Sequence, residues 1–169
     1  MTTLVLPDPE LTKGRFASIS AYTDEALYAA TGVRIAFTTR DGGVSEGPYA
    51  SLNLGSHVND DLASVEENRR RVQQAFSCES VPLIVPNQVH GDEVLELGAS
   101  DELAVPLSSA EAQRLALQAR EGADGLVVNA PNAAALLCYA DCVPVILTAP
   151  GGFAVVHSGW KGTYAGIAG

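Results

Sequence analysis

The chain has 169 residues, 47% of them hydrophobic and 18% charged, with 20 acidic against 10 basic side chains and a formal charge of −10. That length suits a single globular domain spanning 1–169 with a sizeable core, and the composition excludes a disordered chain. The acidity argues against a nucleic-acid backbone or an anionic membrane surface as partner, and no apolar run reaches the ~20 residues of a membrane span.

A small anionic substrate stays compatible with this charge, because a basic pocket can exist inside an acidic protein. Residues 1–15 lack the charged-then-apolar pattern of an export signal. The three cysteines, Cys78, Cys138 and Cys142, form an odd and sparse set. Together these features predict reduced thiols and a cytoplasmic protein.

In chain order, a polar lead-in precedes a short strand expected over residues 16–19. Thr23 is placed to cap a short helix, with Asp24 and Glu25 in its first turn and Gly32 at its end. Residues 33–38 alternate like a strand and run into Thr39-Arg40-Asp41-Gly42-Gly43-Val44-Ser45, a glycine-rich turn. Arg40 there is either a solvated turn residue or an anion-binding side chain beside exposed amides. His57, alone in a polar loop, reads as a surface residue.

A helix follows, capped by Asp60 or Asp61, with Leu62, Val65, Val72, Ala75 and Phe76 on one face. Asn68 and Arg69 lie between its apolar turns, and its arginines can pair with Glu66 and Glu67. Residues 81–85 and 94–97 are expected strands, and residues 98–106 a loop. Ser108 and Glu111 make a capping box for a helix that Gly122 stops. Asp124-Gly125 is a turn into a strand at 126–128. Apolar runs at 133–138, 145–147 and 153–156 complete the strand set, and residues 162–169 read as the start of a helix.

Three of these runs end in polar phrases. Asn87-Gln88-Val89-His90-Gly91 follows the first, Ala140-Asp141-Cys142-Val143-Pro144 the second, and His157-Ser158-Gly159-Trp160-Lys161-Gly162-Thr163 the third. Strand ends thus offer two imidazoles and a thiol, which suits a zinc site with three protein ligands and one open position. Asp141 and Pro144 are expected to break the strand ladder and expose the Cys142 thiol, whereas Cys138 reads as a core thiol. The same residues allow a second arrangement, Cys142 as nucleophile with His157 as base, which leaves His90 unexplained.

The motifs Phe37-Thr38-Thr39-Arg40-Asp41-Gly42-Gly43-Val44-Ser45, Leu52-Asn53-Leu54, Asn68-Arg69, Gln88-Val89-His90-Gly91, Ala123-Asp124-Gly125, Ala140-Asp141-Cys142-Val143-Pro144 and His157-Ser158-Gly159-Trp160-Lys161-Gly162-Thr163 resemble, in order, the signatures of the laccase-domain proteins. These were named multicopper polyphenol oxidases and are regarded as zinc-dependent purine nucleoside phosphorylases. The resemblance runs from about residue 34 to residue 169.

It implies an α+β fold of mixed sheets packed with helices, similar to the catalytic domain of cytotoxic necrotising toxins. His90, Cys142 and His157 would bind a catalytic zinc. The substrates would be a purine nucleoside (adenosine, inosine, guanosine or methylthioadenosine) and phosphate, with adenosine deamination as a second reaction.

Arg40, Asn53, Arg69 and Lys161 are the candidates for holding substrate or phosphate, and Asp141 for orienting a ligand or carrying a proton beside Cys142. A thiolate ligand makes the site softer than an all-histidine one, so copper is also compatible. Lys161 departs from the family's frequent arginine and loses its bidentate fork. Val128 takes a position often held by threonine.

Family members usually continue for several dozen residues beyond the last residue here, so the resemblance implies a C-terminally truncated domain. Self-association through an uncovered apolar sheet around Val145 and Val155 is then expected. Alternatives are a copper-dependent polyphenol oxidase, a cysteine hydrolase or peptidoglycan-precursor editing enzyme using Cys142 and His157, and an inactive zinc-binding protein.

Overall fold

The computed structural model describes residues 6–98 and 105–168. It is of mixed α+β class, and the described residues form four α-helices and three small sheets. The chain divides into two compact units, Met1–Ser80 and Val81–Gly169.

In the first unit, β1 (Thr12–Phe16) and β2 (Ile19–Thr23) form an antiparallel hairpin, and β3 (Phe37–Thr38) pairs with β2. The strand expected over residues 16–19 is therefore the hairpin's turn: Phe16 faces Ile19 across it, and Ala17 takes a positive φ of 52°. Of the strand expected over 33–38, only Phe37 and Thr38 meet partners, Tyr22 and Ala21.

Helix α1 (Glu25–Thr31) is capped by Asp24 rather than Thr23. The Asp24 carboxylate accepts from the Leu27 amide at 2.8 Å and the Glu10 amide at 2.7 Å, while Thr23 belongs to β2. Gly32 ends the helix in the left-handed region, as expected for a glycine stop.

Helix α2 (Leu62–Ala75) takes Asp61 as its cap. Val65 is buried on it as the apolar stripe requires, whereas Leu62 at its start stays exposed. Phe76, at its end, packs its ring 4.8 Å from Phe16. Arg70 and Arg71 both pair with Glu67.

Asn68 is fully buried and ties the helix to the glycine-rich loop. It donates to Ser45 Oγ and to the carbonyls of Ser51 and Asn53, and its own oxygen accepts from the Val44 amide at 2.8 Å. Gly43 makes this approach possible, since a Cβ there would stand 2.1 Å from the Ser51 carbonyl oxygen.

In the second unit, β5 (Val94–Leu97), β6 (Gly125–Val128), β9 (Gly152–Ser158) and β8 (Val143–Ala149) form one sheet in that order; β4 (Leu83–Ile84) pairs in parallel with β7 (Ala134–Ala135). β5 and β6 run parallel, so the chain crosses over between them through α3 (Ser109–Glu121), capped by Ser108 through the Glu111 amide. Leu95 and Leu97 of β5 face inward, alternating with exposed Val94 and Glu96. They join Leu126 and Val128 of β6 and Ala112, Leu115 and Ala119 of α3 in one core.

The run at 133–138 supplies only Ala134–Ala135 to a ladder, because β4 offers just two partner residues. Pro144 does not break its strand: it lies in β8, opposite His157. It is tolerated there because β8 is an edge of the sheet, where a missing N–H costs no ladder bond. On β8 the side chains of Val143 and Leu147 are largely exposed, while Val145 of β8 and Val155 of β9 are half-buried.

The last helix, α4 (Trp160–Ala165), begins two residues before Gly162. Gly159 is its N-cap, and Gly166 stops it with a left-handed φ of 86°. Gly162 is buried against the His90 loop: a Cβ there would meet the Gly91 carbonyl oxygen at 2.6 Å.

Candidate metal centre

The three polar phrases of the second unit converge. Ligand atoms of His90, Cys142 and His157 all lie within 4.8 Å of one another, the set among the described residues that could hold a metal ion. The imidazoles of His90 and His157 meet edge-on, with centroids 4.7 Å apart and planes at 78°. Burial is graded across the set: His157 is 4% exposed, Cys142 half-buried and His90 exposed. A site built this way opens to solvent on the His90 side.

Each ligand is placed by its own element. His157 lies near the end of β9, held in the ladder by its amide, which donates to the Asp124 carbonyl at 2.6 Å. Cys142 sits in the bend that leads into β8. His90 follows the Gln88 side chain, which bonds the Cys138 backbone at both ends: Nε2 donates to the Cys138 carbonyl at 2.8 Å, and Oε1 accepts from its amide at 2.7 Å. That two-ended bond fastens the His90 loop beside the segment that carries Cys142.

The fourth side is glycine. A Cβ on Gly159 would stand 3.2 Å from His90 Cδ2, 3.3 Å from Cys142 Sγ and 3.9 Å from His157 Cε1, so a side chain there would fill the space between the ligands. Two imidazoles and a thiol around such a space match the borderline-soft, three-ligand donor set of a catalytic zinc, and the thiol also suits copper(I).

In the sequence Asp124 reads as a turn residue within the Ala123-Asp124-Gly125 motif, with no role assigned, yet it is the fully buried acid of this centre. Its Oδ1 pairs with His157 Nδ1 at 2.7 Å and accepts from the His90 amide at 3.0 Å. Its Oδ2 accepts from the Val89 and Gly91 amides at 3.1 and 2.8 Å. Burial pushes this carboxyl upward, but the hydrogen bonds from His157 and the three amides outweigh it and leave it below the ordinary carboxylate value.

Cys142 behaves differently. Burial first, then the neighbouring Asp141 carboxylate, raises its thiol above the ordinary value, and the thiol donates to Asp141 Oδ1 at 3.8 Å. Tyr139 closes the site's inner wall: its ring lies 5.7 Å from that of His157, its hydroxyl donates to the Val156 carbonyl, and burial raises its phenol.

Three of the four candidates for holding substrate or phosphate come from a different part of the chain. Arg40, Asn53 and Arg69 belong to the first unit, where all three make bonds that shape loops. Arg40 donates to the Ala50 carbonyl through Nε and Nη2, Arg69 likewise to the Leu54 carbonyl, and Asn53 to the Gly55 carbonyl and Asp60. Lys161 belongs to the second unit, an exposed residue of α4 two residues beyond Gly159, with its ammonium 5.7 Å from the Trp160 ring centroid. His57 takes no part in the His–Cys–His set. No helix among the described residues is long and apolar enough to cross a membrane.

Fold and site define an α+β protein with a histidine–cysteine–histidine centre. The profile of the family described as "Multi-copper polyphenol oxidoreductase laccase" matches residues 34–169, and the chain belongs to that family.

Among its relatives, "Purine nucleoside phosphorylase YlmD" of Geobacillus stearothermophilus is 40% identical over 134 residues, which cover 78% of this chain and 46% of that protein. "Purine nucleoside phosphorylase YfiH" of Escherichia coli is 38% identical over 138 residues, covering 80% of this chain and 50% of that one. The crystal structure of the Bacillus licheniformis hypothetical protein YfiH is similar with a TM-score of 0.73 at 32% identity, across 91% of this chain and 55% of that chain. The chain thus spans about half the length of the relatives it matches.

Proposed function

We propose that this chain carries the zinc centre of a purine nucleoside phosphorylase that also deaminates adenosine, with His90, Cys142 and His157 as metal ligands. The observation that carries the reading is the convergence of these three side chains in a chain whose relatives bear that name. When bound, zinc supplies Lewis acidity at neutral pH.

The protein's own groups do the rest. Gly159 keeps the space between the ligands open, and the exposed His90 side admits substrate. In phosphorolysis, phosphate forms a bond to the anomeric carbon as the glycosidic C–N bond breaks, and the purine leaves with the electron pair and takes up a proton. Lys161 provides positive charge for the phosphate. Asp141, exposed beside Cys142, is the acid–base group that carries the proton.

A second reading has a specific observation in its favour. Cys142, His157 and Asp124 supply the thiol, imidazole and orienting carboxylate of a cysteine hydrolase. The raised Cys142 thiol counts against it. The two are separated by assaying release of free base from adenosine or inosine with phosphate, before and after chelation and zinc repletion. The metal reading expects activity lost to the chelator and restored by zinc, with slow alkylation of Cys142 while metal is bound. Chelator-indifferent activity abolished rapidly by iodoacetamide would establish the hydrolase instead, and a zinc-loaded protein that releases no base would refute the phosphorylase.

A further inference from the structure

One carboxylate touches two of the three proposed ligands. Asp124 lies immediately before β6, fully buried, and its two oxygens accept four hydrogen bonds of 2.7–3.1 Å. Three come from the consecutive amides of Val89, His90 and Gly91. For three successive amides to face one anion the backbone must curl, and His90 does so with a φ of 60°, in the left-handed region that non-glycine residues seldom occupy. A strained backbone of this kind persists where its surroundings hold it, and here Asp124 is what holds it. The fourth bond joins Oδ1 to His157 Nδ1. An ionised carboxylate only accepts, so His157 Nδ1 carries the proton of this bond, and in the neutral ring Nε2 is left as the lone-pair nitrogen.

We propose that Asp124 is a positioning residue for the metal: the same carboxylate fixes the His90 backbone and sets the His157 tautomer, presenting Nε2 of His157 as the ligand atom. This rests on the metal reading above and adds which residue prepares the site before metal arrives. Ligand histidines elsewhere are commonly oriented this way, by a carboxylate on the nitrogen that does not bind metal. Here the carboxylate also organises the main chain of a second ligand, through the amides of Val89, His90 and Gly91.

Asp124→Asn tests it with almost no change in size. The amide can keep its single oxygen towards the Val89 and Gly91 amides, which then puts its NH2 where Oδ1 was. From there it faces the His90 amide, a donor against a donor, and can only donate to His157 Nδ1. That requires the other tautomer, with the proton on Nε2, where it blocks the ligand atom.

The chain has three histidines, so nitrogen-15 spectra of the imidazoles are readily assigned with His157→Ala as reference. In metal-free wild-type protein at mildly alkaline pH, His157 should be the Nδ1–H tautomer; in Asp124→Asn it should shift to Nε2–H. Zinc affinity, measured by competition with a chromophoric chelator, should fall about 10–100-fold. The thiolate-to-metal absorption of the cobalt(II)-substituted protein should weaken in parallel.

An Nε2–H tautomer in the wild type would overturn the proposal, and needs no variant to fold. So would an Asp124→Asn protein with wild-type tautomer and zinc affinity within twofold. A wild type that shows the Nδ1–H tautomer but binds no zinc would sink the metal reading and with it the positioning role, while leaving the hydrogen-bond assignment intact.

Discussion

Asn68→Ala should destabilise the first unit by about 3 kcal/mol. The side chain is fully buried and makes four hydrogen bonds between α2 and the loop at 44–53. Two of its partners keep other bonds after truncation. Ser45 Oγ still donates to Asp60 at 2.6 Å, and the Ser51 carbonyl still accepts from the Ser45 amide at 2.9 Å. The Val44 amide and the Asn53 carbonyl lose the bonds that Asn68 supplied. Each unsatisfied group costs about 1–3 kcal/mol, so the two together cost about 2–6 kcal/mol, and water entering the gap moves the sum towards the lower part of that range, about 3 kcal/mol.

Asn68→Asp is the sharper variant. It keeps the acceptor for Val44 but turns an oxygen towards the Asn53 and Ser51 carbonyls, so it should be at least as destabilising although it removes no volume. Urea denaturation followed by far-UV circular dichroism reads both variants as a lowered midpoint at unchanged slope. A loss below 1 kcal/mol for both would show that the loop is held by other means and that the buried amide is incidental.

Gly159→Ala should leave the fold intact, because Gly159 has a φ of −73° that alanine tolerates, yet weaken zinc binding by about tenfold or more by crowding His90 and Cys142; a calorimetric titration indistinguishable from wild type would remove Gly159 from the site. Acid should destabilise the first unit in a defined window. Glu67 is held down to about 2 by Arg70 and then Arg71, Asp24 is lowered by the Leu27 and Glu10 amides, and Asp60 by Ser45 and Asn53. Folded values below unfolded ones give stability that is complete above the unfolded values of about 4 and is lost as pH falls through the folded ones. Urea midpoints should therefore hold steady from neutral to about pH 5 and decline below about pH 4; a midpoint that rises on acidification from pH 5 to pH 3 would contradict the assignment.

Elements that depend on neighbours in sequence were readable without coordinates. The alternation at Val94–Leu97 is β5, and the Ser108–Glu111 pair starts α3 as written. The metal candidates were readable for a related reason: imidazoles and a thiol at the ends of apolar runs are unusual enough to single out.

What depended on distant partners was not readable. Pro144 signals a strand break until β8 is known to be a sheet edge. Asn68 is an ordinary polar helix residue until the loop at 44–53 folds over it. Asp124 stands before a glycine, as many turn aspartates do, and its role arises only when residues 89–91, some 35 positions earlier, wrap around it. The Gln88 clamp on Cys138 spans 50 residues and left no local trace.

The zinc content of the purified protein and three single variants tests the central claim most directly. Metal-stripped chains are reloaded with zinc, dialysed and analysed for bound metal per chain. The convergence of His90, Cys142 and His157 predicts about one zinc per chain for the wild type and for Cys138→Ala, and loss of tight binding in Cys142→Ala and His157→Ala. Equal zinc retention by Cys142→Ala and the wild type would contradict it.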